Sequence, residues 1–152
     1  MSTNEFYKPV GGILSAELFP TRELSSIEDA IAGRGIAVEL MDDGSLYEES
    51  FVEHDGLVSV EHTLTLKASR DKAQEWFSVE LMQILAVEGA VARIEMATGE
   101  VIIVGHCQRM GFEQAMRMES LKFSSGQKPN TQPSVSLTLR CRDLSSAIGN
   151  GR

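Results

Sequence analysis

The side chains best suited to chemistry here are two cysteines, Cys107 and Cys141, and the histidines His62 and His106. Together they carry the imidazole and thiolate donors that a zinc ion takes. The spacing argues against a site. His106 and Cys107 are adjacent, whereas ligand pairs on one backbone segment are separated, as in C-x₂-C. A cysteine nucleophile needs a thiolate beside a base, and neighbours on a strand point to opposite faces. No metal, cofactor or catalytic residue is therefore assigned. His62 falls on the apolar face of a strand pattern and reads as a core histidine satisfied by a backbone partner. The cysteines read as buried free thiols. Asp42, Asp43, Glu48, Glu49, Glu53, Asp55 and Glu61 crowd positions 39–61. A general acid and base would have to be chosen among them, but the crowding itself reads as a solvated acidic face. Asp42-Asp43-Gly44-Ser45 lacks the D-x-[DN]-x-[DN]-G calcium frame. No phosphate loop, dinucleotide fingerprint or nucleophile elbow is present.

These residues must be positioned by elements that are mostly strands. Residues 13–19 read as a short strand stopped by Pro20. Ser25 and Glu28 stand at capping-box spacing ahead of Ile27, Ala30 and Ile31, with Gly33 and Gly35 behind, which predicts a short helix. Residues 36–41 and 46–52 read as strands joined by a tight turn at 42–45. The clearest strand is 58–67, where Val58, Val60, His62, Leu64 and Leu66 alternate with polar residues. One main helix is predicted over about 71–88. Asp71 caps it, Gln74 stands three residues on, Gly89 ends it, and Trp76 and Phe77 anchor it on a sheet. A hairpin turning at Thr98-Gly99 joins 90–96 to 101–104. Over 116–123 the apolar phase shifts between Met118 and Leu121, which predicts a bulge. In the last strand Val135, Leu137, Leu139 and Cys141 point inward. The reading is α+β, mostly β: an antiparallel barrel or sandwich with one packed helix.

At 152 residues the chain is the size of one domain. It divides into an arm (1–12), a β-rich domain (13–143) and a small-residue tail (144–152). The start has no basic segment ahead of an apolar one, so no secretory signal is expected. No apolar run approaches the ~18 residues of a membrane helix. A formal net charge of -8 argues against a general grip on nucleic-acid phosphates. Met110, Met116 and Met118 cluster, and read as core filling rather than an adaptable interface. The loop 124–133, with Pro129, Pro133 and Gly126, is longer than a tight hairpin needs, which suits a contact segment.

The Ala97-Thr98-Gly99-Glu100 hairpin, the strand after it, the Leu121-Lys122-Phe123-Ser124-Ser125-Gly126 strand end and the closing Val135-Ser136-Leu137-Thr138-Leu139 strand form one layout over residues 36–142. That layout resembles small β-rich proteins encoded in phage and prophage structural-gene clusters of gut Bacteroidetes. The resemblance implies a non-enzymatic virion structural protein of the tail or neck, a tail tube, terminator or head–tail connector component assembled in the host cytoplasm. It implies a homo-oligomeric ring or tube that contacts other virion proteins, with DNA passing its lumen without specific binding and no membrane partner. The contact residues expected are Phe6, Tyr7 and Pro9 in the arm and Gly126, Lys128, Pro129, Asn130 and Pro133 in the loop, with the tail a weaker contact. The alternative is a small-molecule or peptide-binding β-barrel module with an apolar interior pocket. The low aromatic content speaks against it. An enzyme using His62, His106 and Cys107 is the third reading.

Overall fold

A computed structural model describes residues 12–41, 44–106, 112, 114–126 and 132–143. Its strands are β1 (Ile13–Pro20), β2 (Ile36–Val38), β3 (Leu46–His54), β4 (Leu57–Ser69), β5 (Ala90–Met96), β6 (Val101–Val104), β7 (Arg117–Ser124) and β8 (Ser134–Asp143). The helices are α1 (Ile27–Ala32), α2 (Arg70–Ala73) and α3 (Val79–Val87). Strands hold 53% of the described residues, so the fold is mostly β. They form two four-stranded sheets, ordered β2-β1-β5-β6 and β3-β4-β8-β7. Every pairing is antiparallel.

One core joins the two sheets. From the first come Ala16, Leu18, Val38, Ala92, Ile94, Ile102 and Val104, and from the second Leu64, Leu66, Leu137, Leu139 and Cys141. The alternation expected in β4 and β8 is what builds this face. Val60, His62, Leu64 and Leu66 are buried, as are Val135, Leu137, Leu139 and Cys141. Each fully buried leucine stabilises the fold by about 1.5–3 kcal/mol. The first sheet is apolar on its other face too. Phe19, Ala30 and Val91 form a second cluster with Ile27, Ile103 and Phe112 around it. α1 covers that face, which is why 90–92 and 102–104 read as unbroken apolar runs.

The Asp55-Gly56 turn has φ of 52° and 83°. A two-residue hairpin with both central residues left-handed matches the twist of its strands, and Gly meets the requirement without strain. The expected bulge is present. The β7–β8 register shifts between Met118 and Ser120, leaving Glu119 as the extra residue.

Several expectations are corrected. The single helix over 71–88 is two helices. α2 is capped by Ser69, whose Oγ accepts from the Lys72 N–H at 3.3 Å, and α3 by Ser78, whose Oγ accepts from the Leu81 N–H at 3.0 Å. Ser78 is extended, at φ -153° and ψ 153°, so its competing side-chain bond interrupts the helical run. Trp76 turns into the core at 8% exposure, while Phe77 remains 42% exposed and anchors little. α1 starts one residue later than the spacing suggests. The Asp29 carboxylate, not Glu28, accepts from the Ser25 N–H, Ser25 Oγ and Ser26 N–H. Ile31 is exposed, so only Ile27 and Ala30 line its buried face. The strands after Gly35 are not hairpin partners. β2 pairs with β1 and β3 with β4, so the chain changes sheets between them. β2 ends at Val38, and the Met41 N–H already donates to the Lys67 carbonyl at 2.8 Å. Asp42 and Asp43 lie outside the described residues, as do residues 1–11 and the tail 144–152. Val58 is exposed rather than buried.

Candidate functional site

The turn at Asp55-Gly56 fixes the β3–β4 register. Glu49 stands opposite His62, Tyr47 opposite Leu64, and Cys141 of β8 opposite His62 on the other side. The result is a polar row on the core face of the second sheet. The Tyr47 hydroxyl donates to Glu49 Oε2 at 2.5 Å, and its oxygen lies 2.7 Å from His62 Nδ1. A hydroxyl carries one proton. With the hydroxyl proton directed at Glu49, the tyrosine oxygen is left to accept from His62 in the tautomer that carries its proton on Nδ1. Glu49 Oε2 is also 3.5 Å from Nδ1. The rings stack at 6.1 Å with 14° between planes. His62 is 1% exposed, so each of these bonds forms away from water. The row ties the outermost strand β3 to the centre of its sheet. His62 is the core histidine expected, and the side chain of Tyr47 is one of its partners. Composition alone does not pair Tyr47 and Glu49 with His62, yet the sequence carries a signal for it. Once Asp55-Gly56 is a two-residue turn, counting back from it sets Glu49 against His62.

His62 and Cys141 are not gathered into one site with His106. His106 packs on Phe112, ring centroids 5.0 Å apart, beside the cluster under α1. Burial holds its pKa below the ordinary 6.5, partly offset by Glu28. His62 and Cys141 belong to the core on the opposite face of the first sheet. Cys107 lies outside the described residues, among which no three side chains of metal-ligating type converge. Of the expected contact residues, Phe6, Tyr7, Pro9, Lys128, Pro129 and Asn130 also lie outside them. Gly126 follows β7 at φ 90°, its N–H donating to Ser124 Oγ at 3.3 Å. The Pro133 carbonyl accepts from the Arg70 N–H at 3.1 Å, so the loop's return end is pinned to α2.

Part of the acidic stretch is paired rather than simply solvated. Glu61 accepts from Arg142 at 2.5 Å and from Arg140 at 3.2 Å, and Arg140 reaches on to Glu119 at 3.3 Å. The hydrogen bond from Arg142 is the main reason the Glu61 pKa lies below its ordinary value. These groups sit on the solvent face, so the pairs order that face more than they stabilise it. A cleft of about 370 Å³ opens beside α1, lined by Glu23, Asp29, Arg34 and the ends of β1 and β2.

Two other surfaces stand out. Toward the tip of the β3–β4 hairpin, Phe51 is 66% exposed, Leu57 75% and Val58 54%. That tip extends past Val60, which pairs with Asp143, the last described residue of β8. The second sheet also ends in long strands, β3 and β7, whereas the first ends in the short β2 and β6. No family model matches the chain, and comparison with curated proteins and with solved structures finds no match.

Proposed function

We propose that this chain is a non-enzymatic structural protein of a phage virion, a tail tube, terminator or head–tail connector component that works by associating with copies of itself. The observation that carries this reading is the hairpin tip. Phe51, Leu57 and Val58 share one projecting element and expose more than half of their surface each. Phe51 and Val58 lie on the core side of the sheet and Leu57 on the solvent side, so exposed apolar groups on both faces of the tip offer a contact surface. The loop 124–133, braced at Pro133, would supply a second contact. The two sheets and their shared core support a sandwich, a compact body from which such a hairpin can project. The net charge of -8 suits a lumen that DNA crosses without adhering. One observation favours the alternative of a binding module, the cleft beside Arg34. Its acidic and basic lining suits a polar ligand rather than the apolar pocket expected of a barrel.

The test is native mass by light scattering over a concentration series, with negative-stain imaging of the same samples. Wild type forms rings or tubes, and Phe51→Ser/Leu57→Ser forms smaller species at the same concentration. A wild type that stays monomeric throughout refutes self-association. A double variant that assembles normally removes the tip from the interface.

A further inference from the structure

The two long edges of the second sheet match each other. β3 carries Glu48, Glu49 and Glu53 and no lysine or arginine, while β7 carries Arg117 and Lys122 against Glu119. Glu48, Glu53, Arg117 and Lys122 are all exposed. Each edge also shows an aromatic ring, Phe51 on one and Phe123, 57% exposed, on the other. Edge strands of soluble proteins are commonly kept very short, which limits pairing with another chain. The first sheet follows that rule with edges of three and four residues, and the second does not, with nine and eight. Among the described residues no further strand joins the outer side of β3 or β7.

Strand direction and hydrogen-bond phase agree as well. Four antiparallel strands put β3 and β7 in opposite directions, so a second copy added in the same orientation sets its β3 antiparallel to this β7. In a two-residue hairpin His54 and Leu57 exchange hydrogen bonds. From there the odd residues of β4 turn their backbone groups toward β3, as shown by the Lys67 N–H on Ser45 Oγ and the Lys67 carbonyl on the Met41 N–H. Even residues turn toward β8, as shown by Arg70 on Pro133. Carried across the registers, this directs the backbone groups of Phe51 and its odd neighbours away from β4, and those of Leu121 and Phe123 away from β8. All of these residues lie on the core side of the sheet. The two edges are therefore in phase for hydrogen bonding and for side-chain facing at once.

Resting on the self-association reading, we propose that the partner of this sheet is a second copy of the chain, with β7 of one copy pairing antiparallel to β3 of the next. The register places Lys122 opposite Glu48 and Ser120 opposite Ser50 on the solvent side. Past the bulge it places Met118 opposite Phe51 on the core side. The contact joins two different surfaces of the same molecule, so it is head-to-tail and repeats from copy to copy, closing a ring or extending a filament. Glu48 and Lys122 then form a directly facing pair of opposite charge, the arrangement that stabilises a sheet, whereas like charges there oppose it.

The experiment uses the full chain with Cys107 and Cys141 replaced by serine and alanine, and light scattering confirms that this background keeps the wild-type mass. Glu48→Cys/Lys122→Cys is oxidised and run on a non-reducing gel beside each single variant. The pairing predicts a ladder of disulfide-linked multimers from the double variant and no more than dimers from either single one. Charge reversal adds a second reading. Lys122→Glu weakens association about tenfold, and Glu48→Lys in the same chain restores it. Oligomers that give no ladder and ignore the charge swap overturn the edge pairing while leaving self-association standing. A protein monomeric at every concentration overturns both.

Discussion

Replacing Tyr47 with phenylalanine removes one oxygen from the polar row and leaves the ring in place. The hydroxyl donates to Glu49 at 2.5 Å and meets His62 Nδ1 at 2.7 Å. Glu49 and His62 have side-chain exposures of 9% and 1%, so water replaces neither bond easily. A hydrogen bond to a charged group contributes about 1.5–3 kcal/mol net, and the retained ring keeps its apolar burial, so a loss of about 2 kcal/mol is expected. For a chain of this length that corresponds to a fall of about 4–8 °C in Tm. Urea denaturation of wild type, Tyr47→Phe, Glu49→Gln and the double variant measures it, and the cycle isolates the coupling between the two groups. The midpoint should fall with the m-value unchanged. Thr63→Val, on the solvent face of β4, serves as control and should shift stability by no more than about 0.5 kcal/mol. If Tyr47→Phe behaves like the control and the cycle gives no coupling, the row does not hold β3 to its sheet.

Three further outcomes are expected. Trp76→Ala should cost about 3–5 kcal/mol in chemical denaturation, whereas Phe77→Ala, at a site 42% exposed, should cost less than about 1 kcal/mol. Gly89→Ala should destabilise by more than about 2 kcal/mol, since the left-handed conformation alone costs a side chain about 1–2 kcal/mol and a Cβ at φ 85° would also lie 2.6 Å from the Met116 carbonyl. Calorimetry of that variant beside Gly99→Ala, whose Cβ meets nothing within 4 Å, separates clash from backbone strain. Stability should fall on acidification. The His106 pKa is depressed by burial, so the unfolded chain takes that proton first as pH drops toward and below 6.5. Glu17 is lowered chiefly by the Gly35 N–H, Glu61 by Arg142 and Glu88 by Arg22, and their contributions are lost as pH falls below 4.5 through the lowered folded-state values. Urea midpoints measured from pH 7 to pH 3 should decline throughout, and a flat profile would contradict this assignment.

The parts of the fold that could be read from the chain are those in which burial imposes a local period. β4 and β8 alternate because one face is in the core, and the Glu119 bulge shows itself because one added residue flips that phase. The break between α2 and α3 was hidden, since Ala73, Trp76, Leu81 and Leu85 keep helical spacing across it and only the capping role of Ser78 marks the stop. The change of sheet between β2 and β3 leaves no local trace either. Which strand pairs with which is decided by contacts such as Ala16 with Ile94, far apart in sequence. The polar row falls between these cases, because its residues lie on two strands but the turn that aligns them is local. The edge charges of β3 and β7 were visible as composition, and acquired meaning only when both strands proved to bound the same sheet.

The strand order of the second sheet also governs when the molecule becomes usable. Among the described strands β8 comes last in sequence, yet it sits between β4 and β7. Leu64 cannot find Leu139, nor Leu121 find Leu137, until residues 134–143 have left the ribosome. The β4–β8 pairing, Leu64 with Leu139, is distant in sequence and slow to form, because the intervening chain must close as a loop first. A chain truncated before Ser134 would hold β3 and β4 as a lone hairpin and leave β7 without its neighbour. It could not present both edges of one sheet. Emergence of residues 134–143 is thus the step that readies any assembly built through those edges.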